Sequence, residues 1–167
     1  MSQVLTDLSA LLKLEVIEQG IYRGQSQDLG FPALFGGQVM GQALSAAQET
    51  IDKCRNVHSL HSYFLRPGDA KKSVVYEVEN IRDGKSFSTR RIKAIQNGKA
   101  IFYMTASFQT PEEGFDHQEI MPEVSSPENI PSYSDFIKAN QEHIPASIRE
   151  IYLAEKPIEI RPVDPYN

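Results

Sequence analysis

The chain of 167 residues is long enough for one domain with a full hydrophobic core and an appendage, and its 40% hydrophobic and 23% charged residues are typical of a globular protein. A formal net charge of -5 gives no support to nucleic-acid binding, and a single cysteine excludes a disulfide framework and fits a reducing compartment. No apolar run approaches the roughly 20 residues that cross a bilayer, and the first residues lack the layout of a secretion signal, so we predict no membrane partner and a cytoplasmic location.

The amino-terminal part of the sequence predicts a short helix followed by two short strands. Leucines recur at helical spacing between Val4 and Leu14, which predicts a surface helix. Two stretches flanking Gly20 are then predicted to be strands. These stretches are Glu15–Gln19 and Ile21–Gln25.

A glycine-bearing helix comes next and carries apolar or small residues on nearly every side. It is predicted to begin at Leu34 and to end near Ile51. Gly41 costs such a helix roughly 1 kcal/mol relative to alanine, so we expect it to be buried over most of its surface. Gly36 and Gly37 leave backbone N–H groups uncovered at its amino end, where the helix dipole favours a negative or polarised oxygen. A plain turn from loop to helix is the other interpretation of these two glycines.

The middle of the chain predicts antiparallel strands. Aromatic and β-branched residues make Asn56–Asp69 a strand that closes in a Pro-Gly turn. Asp83-Gly84 and Asn97-Gly98 are two-residue hairpin signals that require positive φ, so the next three strands form a meander. These strands are Ser73–Arg82, Lys85–Gln96 and Lys99–Gln109. The last is apolar on both faces, which indicates a sheet that wraps the helix with one face and is partly covered on the other. This order predicts an α+β protein with the hotdog fold, an antiparallel sheet wrapped around a long central helix.

The composition changes after Pro111, because eight of the ten prolines lie in this last part of the chain. A helical pattern there is broken at Pro145, which predicts a linker with short helices. The final residues alternate like the opening strand of another domain and find no partner in the sequence. The predicted parts are a hotdog domain over residues 1–110, a proline-rich linker over 111–156, and the first strand of a truncated second hotdog over 157–167.

Few residues can carry chemistry, and no complete catalytic or metal motif is present. His58 and His61 lie three positions apart on one predicted strand, so we expect them on opposite faces and predict no metal site. His58 is kept as a catalytic candidate because the strand after the central helix can reach the amino end of that helix; a hydrogen-bonded sheet histidine is the alternative. Arg66, Arg90 and Arg91 are candidate anchors for a large anionic ligand, with a solvated face as the alternative. Arg90 and Arg91 are expected on opposite faces of the sheet.

Five phrases, in order along the chain, resemble the type II acyl-CoA thioesterases of the TesB family. The phrases are Tyr22–Ser26, Phe35–Ala43, His58–Asp69, Ser86–Arg91 and Ile101–Gln109. The resemblance extends from Leu5 to Val163, which is nearly the whole chain.

The resemblance implies hydrolysis of acyl-CoA to free fatty acid and coenzyme A by a longer, double-hotdog protein. In that family the Asp, the Thr or Ser and the Gln that activate water lie in the second half, so no residue of this chain is assigned to them. The first hotdog is expected to polarise the thioester carbonyl through the N–H groups of Gly37 and Gln38, with Gly36 also contacting substrate. No cofactor is predicted.

Other functions remain open at this stage. The chain could be a non-catalytic hotdog module that binds acyl-CoA or assembles with a partner, because the second-half residues are missing. A hotdog dehydratase needs a histidine and an acidic residue at the helix, and the central helix lacks that pair. A lone hotdog exposes a sheet edge and an apolar face, so we expect a homodimer through hotdog pairing.

Overall fold

A six-stranded antiparallel sheet packs against one 13-residue helix in the larger of two compact units, which comprises residues 8–113. The computed structural model describes residues 2–31 and 33–164. The elements are α1 (Gln3–Leu11), β1 (Glu15–Glu18), β2 (Ile21–Gly24), α2 (Gly36–Gln48), β3 (Asn56–Phe64), β4 (Val74–Asp83), β5 (Phe87–Gln96), β6 (Lys99–Gln109), α3 (Tyr133–Ala139) and α4 (Ala146–Leu153). The strand order is β1-β2-β4-β5-β6-β3, so the predicted meander β4-β5-β6 lies inside the sheet and β3 is an edge strand.

Helix α2 packs through a stripe of small residues rather than being buried on all sides. Ala43, Ala46 and Ala47 are fully buried, and they allow the helix to approach the sheet closely. Gly41 faces Leu12, where an added Cβ would lie 2.9 Å from Leu12 Cδ2. A side chain at this position would therefore require the end of the Leu12 side chain to move.

The sheet buries one face and exposes the other. Phe102, Met104, Ala106 and Phe108 of β6 point into the core, whereas the residues between them point outward. Tyr103 is exposed on the outer face, so the expectation that this face is partly covered is wrong for these residues. Charged pairs across neighbouring strands occupy the outer face of β4 and β5 instead; they are Glu77–Lys93 and Glu79–Arg91.

One of the two predicted tight turns is present. Asn97 and Gly98 have φ values of 50° and 71°, as the hairpin signal requires. The prediction of a two-residue turn at Asp83-Gly84 is wrong, because Gly84 does not have positive φ. The N–H of Gly84 instead donates to the carbonyl of Phe87 at 2.8 Å. Asp83 stays in β4 and pairs with Ser88, so the loop is longer than two residues.

The smaller unit combines residues 2–7 with residues 114–164. Residues 114–126 form neither helix nor strand, and α3 begins with a capping box between Ser132 and Asp135. Helix α4 follows Pro145, where the sequence predicts the break. Residues 157–164 form no strand, and 165–167 lie outside the described residues; a strand requires a neighbour to pair with, so a second hotdog here stays a prediction, as do the three domain boundaries. Among the described residues, every helix is too short or too polar to span a membrane.

Candidate active site

A cavity of about 350 Å³ lies at the amino end of α2. Its walls come from the start of α2, the end of β3 with the turn that follows, and the beginning of β6. The lining residues are Leu34, Gly36, Val39, Phe64, Leu65, Arg66, Pro67, Gly68, Ile101 and Phe102. The volume is within the range of small-molecule sites, and the lining is apolar apart from one guanidinium and the backbone.

Two backbone N–H groups at this end of α2 are free to bind a ligand. Phe35 caps the helix with an extended backbone, and its carbonyl accepts from the N–H of Gln38 at 3.1 Å and from that of Val39 at 3.3 Å. The expected oxyanion contact from Gln38 is therefore corrected, because this N–H is already used within the first turn. Within the described residues, the N–H groups of Gly36 and Gly37 have no hydrogen-bond partner. The candidate donor pair is therefore Gly36 and Gly37 rather than Gly37 and Gln38.

Two phenyl rings lie beside these amides. An added Cβ on Gly37 would be 2.5 Å from Cε1 of Phe35, and one on Gly36 would be 2.9 Å from Cε1 of Phe64. Both rings are more than half exposed, at 55% and 56%. They place apolar surface on two sides of the donor site. The sequence patterns did not single out either ring, although Phe35 directly precedes the two glycines and Phe64 lies shortly before the Pro-Gly turn.

Arg66 is the candidate arginine that the structure brings to the cavity. Its Nη1 donates to the carbonyl of Ala100 at 2.6 Å, which fixes the guanidinium beside β6. The side chain remains exposed, and its other nitrogens have no partner among the described residues. Gly36 and Arg66, which are two of the predicted substrate contacts, therefore line the same cavity.

Arg90 is not a ligand group, which corrects its prediction as a substrate contact. It is 2% exposed and lies at the carboxyl end of α2, opposite the cavity. Its guanidinium donates to Oγ1 and the carbonyl of Thr50, at 2.7 and 2.9 Å, and to Oδ1 of Asp83 at 2.8 Å. A cation is favoured there because the helix dipole is negative at this end. Hydrogen bonds from Ser88 and then from Arg90 hold the pKa of Asp83 below its usual value.

Arg91 points away from the helix and pairs with Glu79 at 3.2 Å in solvent. The prediction that Arg90 and Arg91 occupy opposite faces is confirmed. Arg91 is not among the described residues that line the cavity, and it lies on a solvated face of the sheet, as the alternative interpretation expected.

His58 is distant from the cavity, so the structure does not support it as a catalytic candidate. It is an extra residue at an irregularity in β3, where Val57 pairs with Phe108 and Ser59 with Ser107. Its Nε2 lies 2.9 Å from Oγ of Ser107 on the outer face of the sheet. Phe64, six residues further along β3, is the residue that reaches Gly36, roughly 20 Å from His58 along the strand.

The same bulge corrects the expectation that His58 and His61 lie on opposite faces. His61 pairs with Thr105 and contacts the ring of Tyr63, with 4.7 Å between the ring centres. Because Ser107 and Thr105 share the outer face, both histidines lie there too. The surplus residue shifts the alternation that the spacing assumes.

Comparison with known proteins places these features in a family. A family model described as the acyl-CoA thioesterase N-terminal domain matches residues 24–109. The chain is 47% identical over 161 residues to acyl-CoA thioesterase 2 of Haemophilus influenzae, covering 96% of this chain and 56% of that protein. The chain spans about half the length of the curated relatives it matches.

Solved structures agree with the sequence comparison. The chain is similar to an acyl-CoA thioesterase II, TesB2, from Mycobacterium marinum, with 48% identity and a TM-score of 0.65 over 71% of this chain and 44% of that one. It also resembles a protein of unknown function with a hot dog fold from Alicyclobacillus acidocaldarius, at 22% identity and a TM-score of 0.69, over 76% of this chain and 48% of that one. The predicted hotdog fold is thereby confirmed, and the chain belongs to the family of acyl-CoA thioesterase N-terminal domains.

Proposed function

We propose that the protein hydrolyses acyl-CoA thioesters to a free fatty acid and coenzyme A, and that this chain supplies the site that polarises the thioester carbonyl. The observation that carries the proposal is the pair of unpartnered N–H groups of Gly36 and Gly37 beside an apolar cavity. An oxyanion at this place would accept two hydrogen bonds at the positive end of α2. The family relationship supports the thioester as the group that binds there.

The reaction needs a water molecule and a base. Attack of water on the carbonyl carbon forms a tetrahedral intermediate whose oxygen the two amides stabilise; the C–S bond then breaks, and the coenzyme A sulfur leaves as a thiolate that takes up a proton. None of the residues that line the cavity has a carboxylate or an imidazole. The base is therefore proposed to come from the second half that the family resemblance implies.

Arg66 is proposed to bind the anionic part of the substrate. Its guanidinium is exposed at the rim of an apolar cavity, and guanidinium groups pair well with phosphate oxygens. The acyl chain then lies against Phe64 and the other apolar lining residues.

The test removes one N–H without removing the cavity. Gly37→Pro deletes the N–H at a position in the first helical turn where proline is tolerated. Gly37→Ala is the matched control, because it adds a Cβ against Phe35 but keeps the N–H. In the full-length protein, kcat for acyl-CoA hydrolysis, followed by release of free thiol, should fall roughly 100-fold or more in the proline variant and be retained in the alanine variant. Equal turnover in the two variants contradicts the proposed contact.

A non-catalytic role is the second candidate, and the absence of an acid or histidine from the cavity lining favours it for this chain taken alone. Equilibrium dialysis with acyl-CoA and a thiol-release assay, both on the full-length protein, separate the two roles. Binding without thiol release supports a binding module, whereas thiol release excludes a purely non-catalytic role.

The remaining proposals concern partners and location. We propose pairing of two copies through edge strand β3, supported by its nine residues without a neighbour on one side and by exposed Leu60. A cytoplasmic location is supported by the single cysteine, Cys54, which is an exposed free thiol.

A further inference from the structure

Two buried glutamines of α2, Gln38 and Gln42, take no part in the chemistry proposed above, yet both ends of each carboxamide are hydrogen-bonded. We infer that they are positioning residues: they hold the loop that leads into α2, and thereby fix the free N–H groups of Gly36 and Gly37. The inference rests on the proposed function and assigns a role to the glutamines of the Phe35–Ala43 phrase.

Gln42 connects three separate segments through one side chain. It has no exposed surface, and its Nε2 donates to the carbonyls of Leu11 at 2.7 Å and Gln25 at 2.8 Å. Its Oε1 accepts from the hydroxyl of Tyr76 on β4 at 2.7 Å. Both N–H groups and one oxygen lone pair are thus used, and the orientation of the carboxamide is fixed from two sides.

Gln38, one turn earlier, holds the same loop at two further points. Its Nε2 donates to the carbonyl of Gln25, and its Oε1 accepts from the N–H of Gln27, both at 3.1 Å. The carbonyl of Gln25 therefore receives two carboxamide donors. Because Gln25 and Gln27 lie outside any strand, these bonds replace a sheet ladder for this part of the backbone.

Gly24 leaves the room that this arrangement needs. An added Cβ at Gly24 would lie 2.5 Å from Oε1 of Gln42 and 2.7 Å from its Cδ. The carboxamide therefore rests on the bare backbone of β2. This contact links two of the phrases that define the family resemblance, Tyr22–Ser26 and Phe35–Ala43.

The far end of the loop is held independently. The N–H of Leu34 donates to the carbonyl of Gly68 at 2.8 Å. Gln96 of β5 fixes that neighbouring turn, because its Oε1 accepts from the N–H of Asp69 at 2.8 Å and its Nε2 donates to the carbonyl of Asp69 at 2.9 Å. The loop before the two glycine amides is thus held directly by Gln38 and Gln42 at its start, and at its end by the turn that Gln96 fixes.

An apolar side chain would fill the same space without providing this constraint. A buried carboxamide is tolerated only when its polar atoms are paired, and leaving one partner unpaired costs more than the bond contributes. Methionine at position 42 would pack but would leave the loop free to shift. A shift of about 1 Å in a group that contacts the reacting atoms can lower a rate by roughly 100-fold.

The test uses the double variant Gln42→Met/Tyr76→Phe, which removes both partners of the buried hydrogen bond and avoids an orphaned hydroxyl. The matched control is Gln48→Met/Tyr103→Phe, which changes an exposed glutamine on α2 and an exposed tyrosine on the outer sheet face. We expect the amide resonances of Gly36 and Gly37 to move in ¹⁵N–¹H spectra of the test variant only. Hydrogen exchange at Gln27 should become faster, and kcat should fall by roughly tenfold to 100-fold while KM is unchanged.

Each outcome decides the inference. Unmoved glycine resonances overturn it, and so do moved resonances with unchanged kcat. If the double variant does not fold, Tyr76→Phe alone gives the same test, with a smaller shift in the same direction. A wild-type protein without turnover overturns the proposed hydrolase only, because the resonances and exchange rates still report whether the glutamines position the amides.

Discussion

Asp83 accepts hydrogen bonds from Ser88 and from Arg90, and Arg90 also bonds to Thr50 just beyond the carboxyl end of α2. Ser88 Oγ donates to Oδ1 at 2.7 Å, and Arg90 Nη2 donates to the same oxygen at 2.8 Å. Arg90 is buried, so its charge depends on this carboxylate and on the carbonyls around it. Loss of the carboxylate charge leaves a buried guanidinium without its anionic partner.

The lowered pKa of Asp83 predicts how stability varies with pH. Because the folded pKa lies below the unfolded one, the stabilisation is complete above the ordinary carboxyl pKa of about 4 and is lost as pH falls through the folded value. Asp83→Asn should therefore lower the Tm at neutral pH, and its difference from wild type should shrink in acid. Thermal unfolding followed by circular dichroism measures this. For the control Glu18→Gln, at an exposed carboxylate, the difference in Tm from wild type should not change with pH. A Tm difference for Asp83→Asn that stays constant with pH contradicts the prediction.

The sequence predicts on which face of the sheet the side chains of Arg90 and Arg91 lie, but it does not predict that Arg90 is buried. Strand alternation correctly separates Arg90 from Arg91. Nothing near Arg90 in the sequence indicates that Thr50 and Asp83 would surround it, because these partners come from other elements. The sequence likewise does not show that the backbone N–H of Gln38 is occupied. This N–H donates to the carbonyl of Phe35, whose extended backbone places that carbonyl at the start of α2.

At the scale of elements, the turn that joins β5 to β6 requires a left-handed backbone conformation at Gly98. Gly98 has a φ of 71°, and an added Cβ would meet nothing within 4 Å. Gly98→Ala should therefore destabilise the protein by about 1–2 kcal/mol through left-handed strain, without any clash. Urea unfolding measures the change. Gly114→Ala, where a Cβ also meets nothing, should stay within about 0.5 kcal/mol of wild type, and an equal effect of the two variants would contradict this origin.

The strands and central helix could be predicted from sequence because their patterns are local. The strand Lys99–Gln109 and the Asn97-Gly98 turn have the predicted bounds. The Asp83-Gly84 turn could not be predicted, because side-chain bonds hold Asp83 in its strand. Strand β3 ends at Phe64 rather than Asp69, since the N–H groups of Leu65 and Arg66 both turn to the carbonyl of Ile101.

At the scale of the whole molecule, edge strand β3 determines how copies can associate. Leu60 is 40% exposed on the side of β3 that faces α2, and charged residues are missing from this strand. Lysine on an edge strand opposes edge-to-edge pairing. We expect sedimentation equilibrium to give a dimer for wild type and a monomer for Leu60→Lys. Thr105→Lys, on an internal strand with its side chain on the outer face, should remain dimeric; a monomeric wild type contradicts the proposed pairing.

The family could be recognised from sequence because its phrases mark contacts that only a few residue types can make. Gly24 and Gln42 show this, since the carboxamide of one rests on the bare backbone of the other. The cavity could not be predicted in the same way. Its walls come from three separate parts of the chain, and Phe64 and Ile101 lie beside Gly36 in the fold although they are far from it in the sequence.

The extra residue in β3 has a consequence for the evolution of the gene. Loss of one codon inside a strand normally inverts every later side chain, because successive residues face opposite sides. Here Val57 points inward, Ser59 outward and Leu60 inward, so alternation is regular once His58 is left out. A three-nucleotide deletion at codon 58 therefore preserves the inward and outward pattern of the strand.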